Sequence, residues 1–174
     1  MSKAAKKLFV FAGPNGSGKS SLINHFLEQK KCPITYICPD NFVPADKRED
    51  VDEYLKGMIR AEEIRHRLLK KGKSFTFETV FSTEDKLDFL KLVKENGYHI
   101  TLIYITTTDP SVNIQRIENR KKQGGHGVPA DKVLKRYERS MNLLSNIICT
   151  ADKAEIYDNS TLPIQVFEKD NTGK

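Results

Sequence analysis

Short unbroken apolar runs alternate along the chain with longer stretches in which apolar positions recur every three or four residues. The run at 8–12, Leu-Phe-Val-Phe-Ala, is closed by a glycine-rich turn, and its brevity predicts a buried strand. Over 19–30, Leu22, Ile23, Phe26 and Leu27 fall at helical spacing. Residues 34–38 predict a second strand, stopped by Pro39, and 50–71 a long charged helix stopped by Gly72. A strand at 74–78 precedes a helix at 83–96, whose Leu87, Leu90 and Val93 form one stripe and whose C-cap is Gly97. The β-branched run at 100–106 is the clearest strand signal. Asp109 then reads as an N-cap before Pro110, opening a helix to about 122.

After a glycine-rich loop at 123–129, helical spacing returns over 130–148, with Val133, Tyr137, Met141, Leu144 and Ile148 on one face. Two last strands are expected at 154–157 and 164–167, and 169–174 reads as a frayed tail. Strands alternating with helices imply βαβ units. The expected architecture is therefore α/β, with three α/β/α layers around a mostly parallel sheet of about five strands. Right-handed crossovers put functional loops at the C-terminal ends of the strands. A length of 174 residues suits a single domain spanning 1–174.

Composition narrows the class without naming a function. Apolar residues make up 38% and charged residues 30%, which excludes a collagen-like, low-complexity or largely disordered chain. The formal net charge of +6 calls for an anionic partner, and small-molecule phosphates satisfy it as well as a nucleic-acid backbone would. Cys32, Cys38 and Cys149 have no metal-type spacing and sit in apolar stretches, so they read as buried free thiols. No run approaches a membrane span, and the apolar run after the basic start is too short for a signal peptide. The expected location is the cytoplasm, with no membrane association.

Gly13-Pro14-Asn15-Gly16-Ser17-Gly18-Lys19-Ser20 matches GxxxxGK[ST] at every fixed position, after a predicted strand and at the opening of a predicted helix. Glycines let successive N–H groups turn inward around an anion, and the helix start adds the positive end of its dipole. Lys19 supplies a point charge to the β- and γ-phosphates, and the Ser20 hydroxyl is the candidate Mg²⁺ ligand. With Ser21, these residues form a candidate site for ATP or GTP. The fold class sharpens accordingly to a P-loop NTPase.

Three further segments carry candidate chemistry. Asp40, in Pro39-Asp40-Asn41-Phe42, follows the second predicted strand and is expected beside the phosphate loop. There it could take the proton of a substrate hydroxyl, with Asn41 beside it in the substrate pocket. Glu78 and Thr79 end the third strand, where a carboxylate next to a hydroxyl can bind substrate hydroxyls or a magnesium-bound water. Between 112 and 140 there are eight Lys or Arg and three Asp or Glu, nearly the whole net charge of the chain. Two basic helices around the 123–129 loop describe a helical lid over a phosphate site. Arg116 and Arg120 share one helix face, as do Arg136 and Arg139. His126 in the loop is a further candidate substrate contact.

The segments AGPNGSGKS, PDNF, FETVFS and NRKKQGGHGVPADKVLKRYERSMNLL, taken together, resemble the zeta-toxin family of P-loop kinases, in its short stand-alone branch. The resemblance spans about residues 7–160. It implies a nucleotide-kinase-like P-loop fold, with Lys19 on the phosphates, Asp40 as catalytic base, Glu78 and Thr79 in the substrate pocket, and Arg120 and Arg136 as the charge-stabilising arginines. Toxins of the family phosphorylate UDP-N-acetylglucosamine on a sugar hydroxyl, so a nucleotide sugar is the implied acceptor and an antitoxin protein an implied partner. This chain is much shorter than those toxins.

Three functions stand at this point. The first is a kinase passing the γ-phosphate of ATP or GTP to a small hydroxyl-bearing molecule. A second is a nucleotide-hydrolysing regulatory ATPase without an acceptor, which needs a residue to orient water where a kinase needs a base. The third is a nucleic-acid-binding module using the basic lid. Against it, aromatics are not interleaved with the basic run, and the expectation is no nucleic-acid partner.

Overall fold

The computed structural model describes residues 5–125 and 127–170. Its strands are β1 (Lys6–Ala12), β2 (Tyr36–Ile37), β3 (Phe75–Thr79), β4 (Tyr98–Thr106), β5 (Lys153–Asp158) and β6 (Ile164–Lys169). The helices are α1 (Lys19–Glu28), α2 (Val51–Lys70), α3 (Glu84–Glu95), α4 (Pro110–Lys122) and α5 (Ala130–Thr150). The strands form one sheet in the order β2-β3-β1-β4-β5-β6. Every neighbouring pair is parallel except β5–β6, so the sheet has six strands rather than about five, and the sixth closes it antiparallel.

The alternation of side chains explains the three layers. From β1, Leu8, Val10 and Ala12 enter a core with Phe75, Phe77, Ile100, Leu102 and Tyr104, covered by α2, α3 and α5. Phe11, with Ile103 and Ile105, faces the other way against Ile23, Phe26 and Leu27 of α1. Strands buried on both faces must be apolar throughout, which is why 8–12 and 100–106 read so clearly.

The expectation for 34–38 shrinks to two residues, because β2 is the sheet edge and lies between two prolines. Ile34 is 86% exposed there. Pro39 instead opens a short 3₁₀ turn, Pro39–Phe42. Lys169 does not belong to a frayed tail. It ends β6, and its Nζ donates to the carbonyls of Ile148 (3.0 Å) and Ala151 (2.6 Å) at the C-terminus of α5. Residues 171–174 lie outside the described residues.

The three cysteines are free thiols, but none is fully buried: Cys32 and Cys38 are half-buried, and Cys149, on the outer face of α5, is exposed. Among the described residues, no helix is long and apolar enough to cross a membrane.

Candidate active site

β1 lies at the centre of the sheet and runs directly into the phosphate loop. Gly13, at φ 144°, has no room for a side chain, since a Cβ there would collide with the carbonyl oxygen of Ile105. The loop can therefore pass across the end of β4 only with glycine at that position. Lys19 folds back under the loop, where its Nζ donates to the carbonyls of Gly13 (2.9 Å) and Pro14 (2.8 Å). Burial pulls the Lys19 ammonium below the usual lysine range. The Glu78 carboxylate opposes the shift most strongly, with Cys38 and Asp40 also opposing, while the Arg120 guanidinium adds to it. Ser17 is fully buried with its hydroxyl unpartnered, and Ser20 and Ser21 are exposed on the first turn of α1.

The sequence expectation put Asp40 on the strand beside the phosphate loop. In the structure that neighbour is β3, which carries Glu78 and Thr79, and β2 lies one strand further out. Phe11 pairs with Glu78 and Ala12 with Thr79, so this carboxylate sits in register with the start of the loop. Tyr36 on β2 donates its hydroxyl to Glu78 Oε2 at 2.6 Å. Burial, then the Glu78 charge, raises the Tyr36 phenol well above the tyrosine range. Thr79 turns its hydroxyl to the backbone N–H of Phe81 (3.1 Å), within a turn where the buried Phe81 has φ 54°.

Asp40 is half-buried on the 3₁₀ turn. Arg48 Nη2 donates to its backbone carbonyl at 3.1 Å. Tyr54, on α2, lies within electrostatic reach of its carboxylate. Burial, then Asp40, pushes the Tyr54 phenol up to about 12. Cys38 lies in the same cluster, and burial followed by the charges of Glu78 and Asp40 pushes its thiol up to about 11. Asn41, next to Asp40, is exposed.

Residues 112–140 do not form a detached flap. Asn113 and Ile117 of α4 are buried, and Thr107 Oγ1 donates to Asn113 Oδ1 at 2.6 Å. In α5, Val133 and Ser140 are fully buried, with Ser140 bonded to Tyr104 (2.7 Å) and to the Val80 carbonyl (2.8 Å). From this frame Arg136 Nη1 reaches Asn15 Oδ1 at 3.3 Å. The exposed Arg120 acts electrostatically on Lys19, whereas Arg116 turns aside and donates to the Ser160 carbonyl at 3.3 Å. Lys121 and Lys122 are exposed. His126 lies outside the described residues.

Four contributors escaped the sequence reading. Tyr36 and Cys38 share one face of the extended chain entering Asp40, and a period of two extended backward from Asp40 would have pointed to them. Tyr54 lies on the buried side of α2, three residues before Gly57. Asn159, in the turn after β5, donates Nδ2 to the Ser17 carbonyl at 2.8 Å. Its position just beyond a strand's C-terminal end was its available signal.

The zeta toxin family model matches residues 1–171 of this chain. An uncharacterized protein of Haemophilus influenzae is 30% identical over 133 residues, covering 75% of this chain and 92% of that protein. Among solved structures, one from the PezAT chromosomal toxin–antitoxin system of Streptococcus pneumoniae aligns with a TM-score of 0.69 at 17% identity, over 97% of this chain and 72% of that one. The AvrRxo1-ORF1:AvrRxo1-ORF2 complex with ATP aligns at 0.74 and 15% identity, over 97% of this chain and 60% of that one. At these identities the structures show a shared fold. The family is shown by the match along the chain itself, together with a phosphate loop that fits every fixed position of its motif: the chain belongs to the zeta toxin family.

Proposed function

We propose that this protein is a P-loop phosphotransferase that passes the γ-phosphate of ATP or GTP to a hydroxyl of a small molecule. The observation that carries this reading is the electrostatic cluster around Lys19: two carboxylates, Glu78 and Asp40, and the Arg120 guanidinium all act on this one buried ammonium. A hydrolase without an acceptor has no need of two carboxylates at the strand ends beside the phosphates, whereas a kinase needs a base facing an acceptor.

Lys19 neutralises phosphate charge from within the loop, and Asp40 accepts the proton of the attacking hydroxyl. Glu78, held by Tyr36, hydrogen-bonds the acceptor beside it, with Asn41, Thr79 and His126 as further candidate contacts. Arg120 and Arg136 meet the charge that develops on the transferring group. Arg136 reaches Asn15 of the phosphate loop and the Arg120 charge acts on Lys19, which favours a phosphate role for these arginines over a nucleic-acid face.

The loop fits a nucleotide's phosphates, since its glycine-lined turn closes over a buried lysine and an unpartnered buried serine hydroxyl. Among the described residues no group of three or more His, Cys, Asp or Glu forms a metal cage. A Mg²⁺ ion would rest on the Ser20 hydroxyl and the phosphates, and when bound it would neutralise charge on the phosphate oxygens. Free thiols support a reducing, cytoplasmic setting. A UDP-N-acetylglucosamine-type nucleotide sugar is the first acceptor to test, and the toxin–antitoxin source of one structural neighbour supports an antitoxin protein as partner.

The test is incubation with γ-labelled ATP, Mg²⁺ and a panel of nucleotide sugars, nucleosides and small sugars. A labelled product made by the wild type and not by Lys19→Ala supports the reading. Label appearing only as inorganic phosphate across the whole panel would replace it with the hydrolase.

A further inference from the structure

The peptide between Ser17 and Gly18 is gripped from outside the phosphate loop. Asn159, in the turn after β5, donates Nδ2 to the Ser17 carbonyl at 2.8 Å. Its amide lies over Gly18, where a Cβ would collide with Nδ2. Gly18 is also the N-cap of α1, in the left-handed region at φ 94° and ψ 18°. Glycine meets both demands without strain, the backbone angle and the close approach.

The turn that carries Asn159 is itself tied down. The Asn159 N–H donates to the Thr106 carbonyl at 2.8 Å, at the end of β4. Asp158 Oδ1 accepts from the N–H (2.9 Å) and the hydroxyl (2.6 Å) of Ser160. Ser160 Oγ accepts from the Thr108 N–H at 2.9 Å, and the Ser160 carbonyl accepts from Arg116 of α4 at 3.3 Å. The reach of Asn159 to the loop is therefore set by the sheet and by α4, and not by the loop's own sequence.

A trans peptide is planar, and its C=O and N–H point in opposite directions. With the Ser17 carbonyl turned to Asn159, the Gly18 N–H points the other way. A phosphate cradle is made of such N–H groups, and a flipped peptide presents an oxygen where the anion needs a donor. Glycine on one side makes that flip easy, since both signs of φ are open to it. We propose that Asn159 is a positioning residue of the phosphate loop: it holds the Ser17 carbonyl outward, so that the Gly18 N–H is aimed at the phosphates before a nucleotide arrives. This rests on the reading of the loop as a nucleotide-phosphate site, and not on transfer to any acceptor.

The test compares the full-length wild type with Asn159→Ala, Asn159→Leu and Lys169→Met. The first variant removes the donor and opens the space, and the second fills the space without a donor. Mg·ATP and tripolyphosphate are titrated into each protein by calorimetry. Both probes should bind roughly 10-fold more weakly to both Asn159 variants, the scale of one hydrogen bond to a charged group. Tripolyphosphate has no base or sugar, so an equal loss for the two probes places the defect at the phosphates. Lys169→Met loosens the fold away from the loop and should keep wild-type affinity.

A readout on the peptide itself is the Gly18 amide resonance in ¹³C,¹⁵N-labelled protein. It should move in both Asn159 variants without ligand, and its displacement by tripolyphosphate should shrink. Wild-type affinity in the Asn159 variants, a loss in only one of them, a loss confined to ATP, an equal loss in Lys169→Met, or an unmoved Gly18 resonance would each overturn the proposal. If the wild type binds neither probe, the reading of the loop as a phosphate site fails first, and the proposal falls with it.

Discussion

Arg136 Nη1 donates to Asn15 Oδ1 over 3.3 Å, so a side chain of α5 touches the phosphate loop from 121 positions away in the chain. The adjacent Tyr137 donates its hydroxyl to the Thr107 carbonyl at 2.6 Å, which pins the same helical turn to the end of β4. Arg136 is thus held at the loop by the core packing of its own helix. A guanidinium fixed in this way has less conformational freedom to lose when charge develops beside it, which is the condition for an electrostatic role in transfer.

Arg136→Ala and Arg120→Ala should therefore lower turnover far more than they weaken ATP binding, by up to roughly 10³-fold for an arginine-finger role. Lys121→Ala and Lys122→Ala, on the exposed side of α4, should change little beyond salt dependence. Single-turnover rates set against nucleotide affinity for all four variants check this. If the arginine variants match the lysine variants on both axes, the 112–140 segment is only a basic surface.

Lys19→Ala should weaken nucleotide binding and abolish turnover. The loop loses its buried charge and also the two hydrogen bonds that join its first carbonyls to the start of α1. Calorimetry with Mg·ATP is the measurement, and wild-type affinity in the variant would remove the loop from nucleotide binding.

Asp40→Asn keeps the shape of the side chain and its capacity to accept a hydrogen bond but cannot take a proton. Nucleotide affinity should hold while transfer falls by roughly 10²–10⁴-fold. Equal losses in binding and transfer would place Asp40 with the metal ion instead.

Lys169→Met should destabilise the fold without touching the site. Its ammonium satisfies carbonyls at the C-terminus of α5, where cations are favoured. Losing these charge-assisted bonds should cost about 1–3 kcal/mol. A urea midpoint lowered at constant m-value, with unchanged ATP affinity, is the expected outcome.

Local chemistry made most of this site legible. The phosphate loop is contiguous, and its glycine and lysine requirements are met within eight residues, so no folding is needed to recognise it. Asp109 capping α4 through the Ser111 N–H at 2.8 Å, and Gly97 ending α3 at φ 75°, are local in the same sense. What the reading missed is joined across the sheet. Tyr36 meets Glu78 from 42 positions away, and Asn159 meets Ser17 from 142. Periodicity and position could flag Tyr36 and Asn159 singly but not name their partners, because each pairing depends on the order in which strands are laid side by side.

The same division separates Asp40 from Glu78. The sequence by itself determined that both carboxylates follow strands and that both strands feed one end of a parallel sheet. That follows from the handedness of βαβ crossovers, which holds whatever the side chains do. Only the tertiary structure decided that β3 lies between β1 and β2, so that Glu78 is in register with the loop and Asp40 reaches it from an edge strand. Strand order is set by which faces bury the most apolar surface together. Phe75 and Phe77 of β3 are fully buried, whereas Ile34 beside β2 is 86% exposed. The strand that can be covered on both faces takes the place beside β1, and the one flanked by prolines is left at the edge.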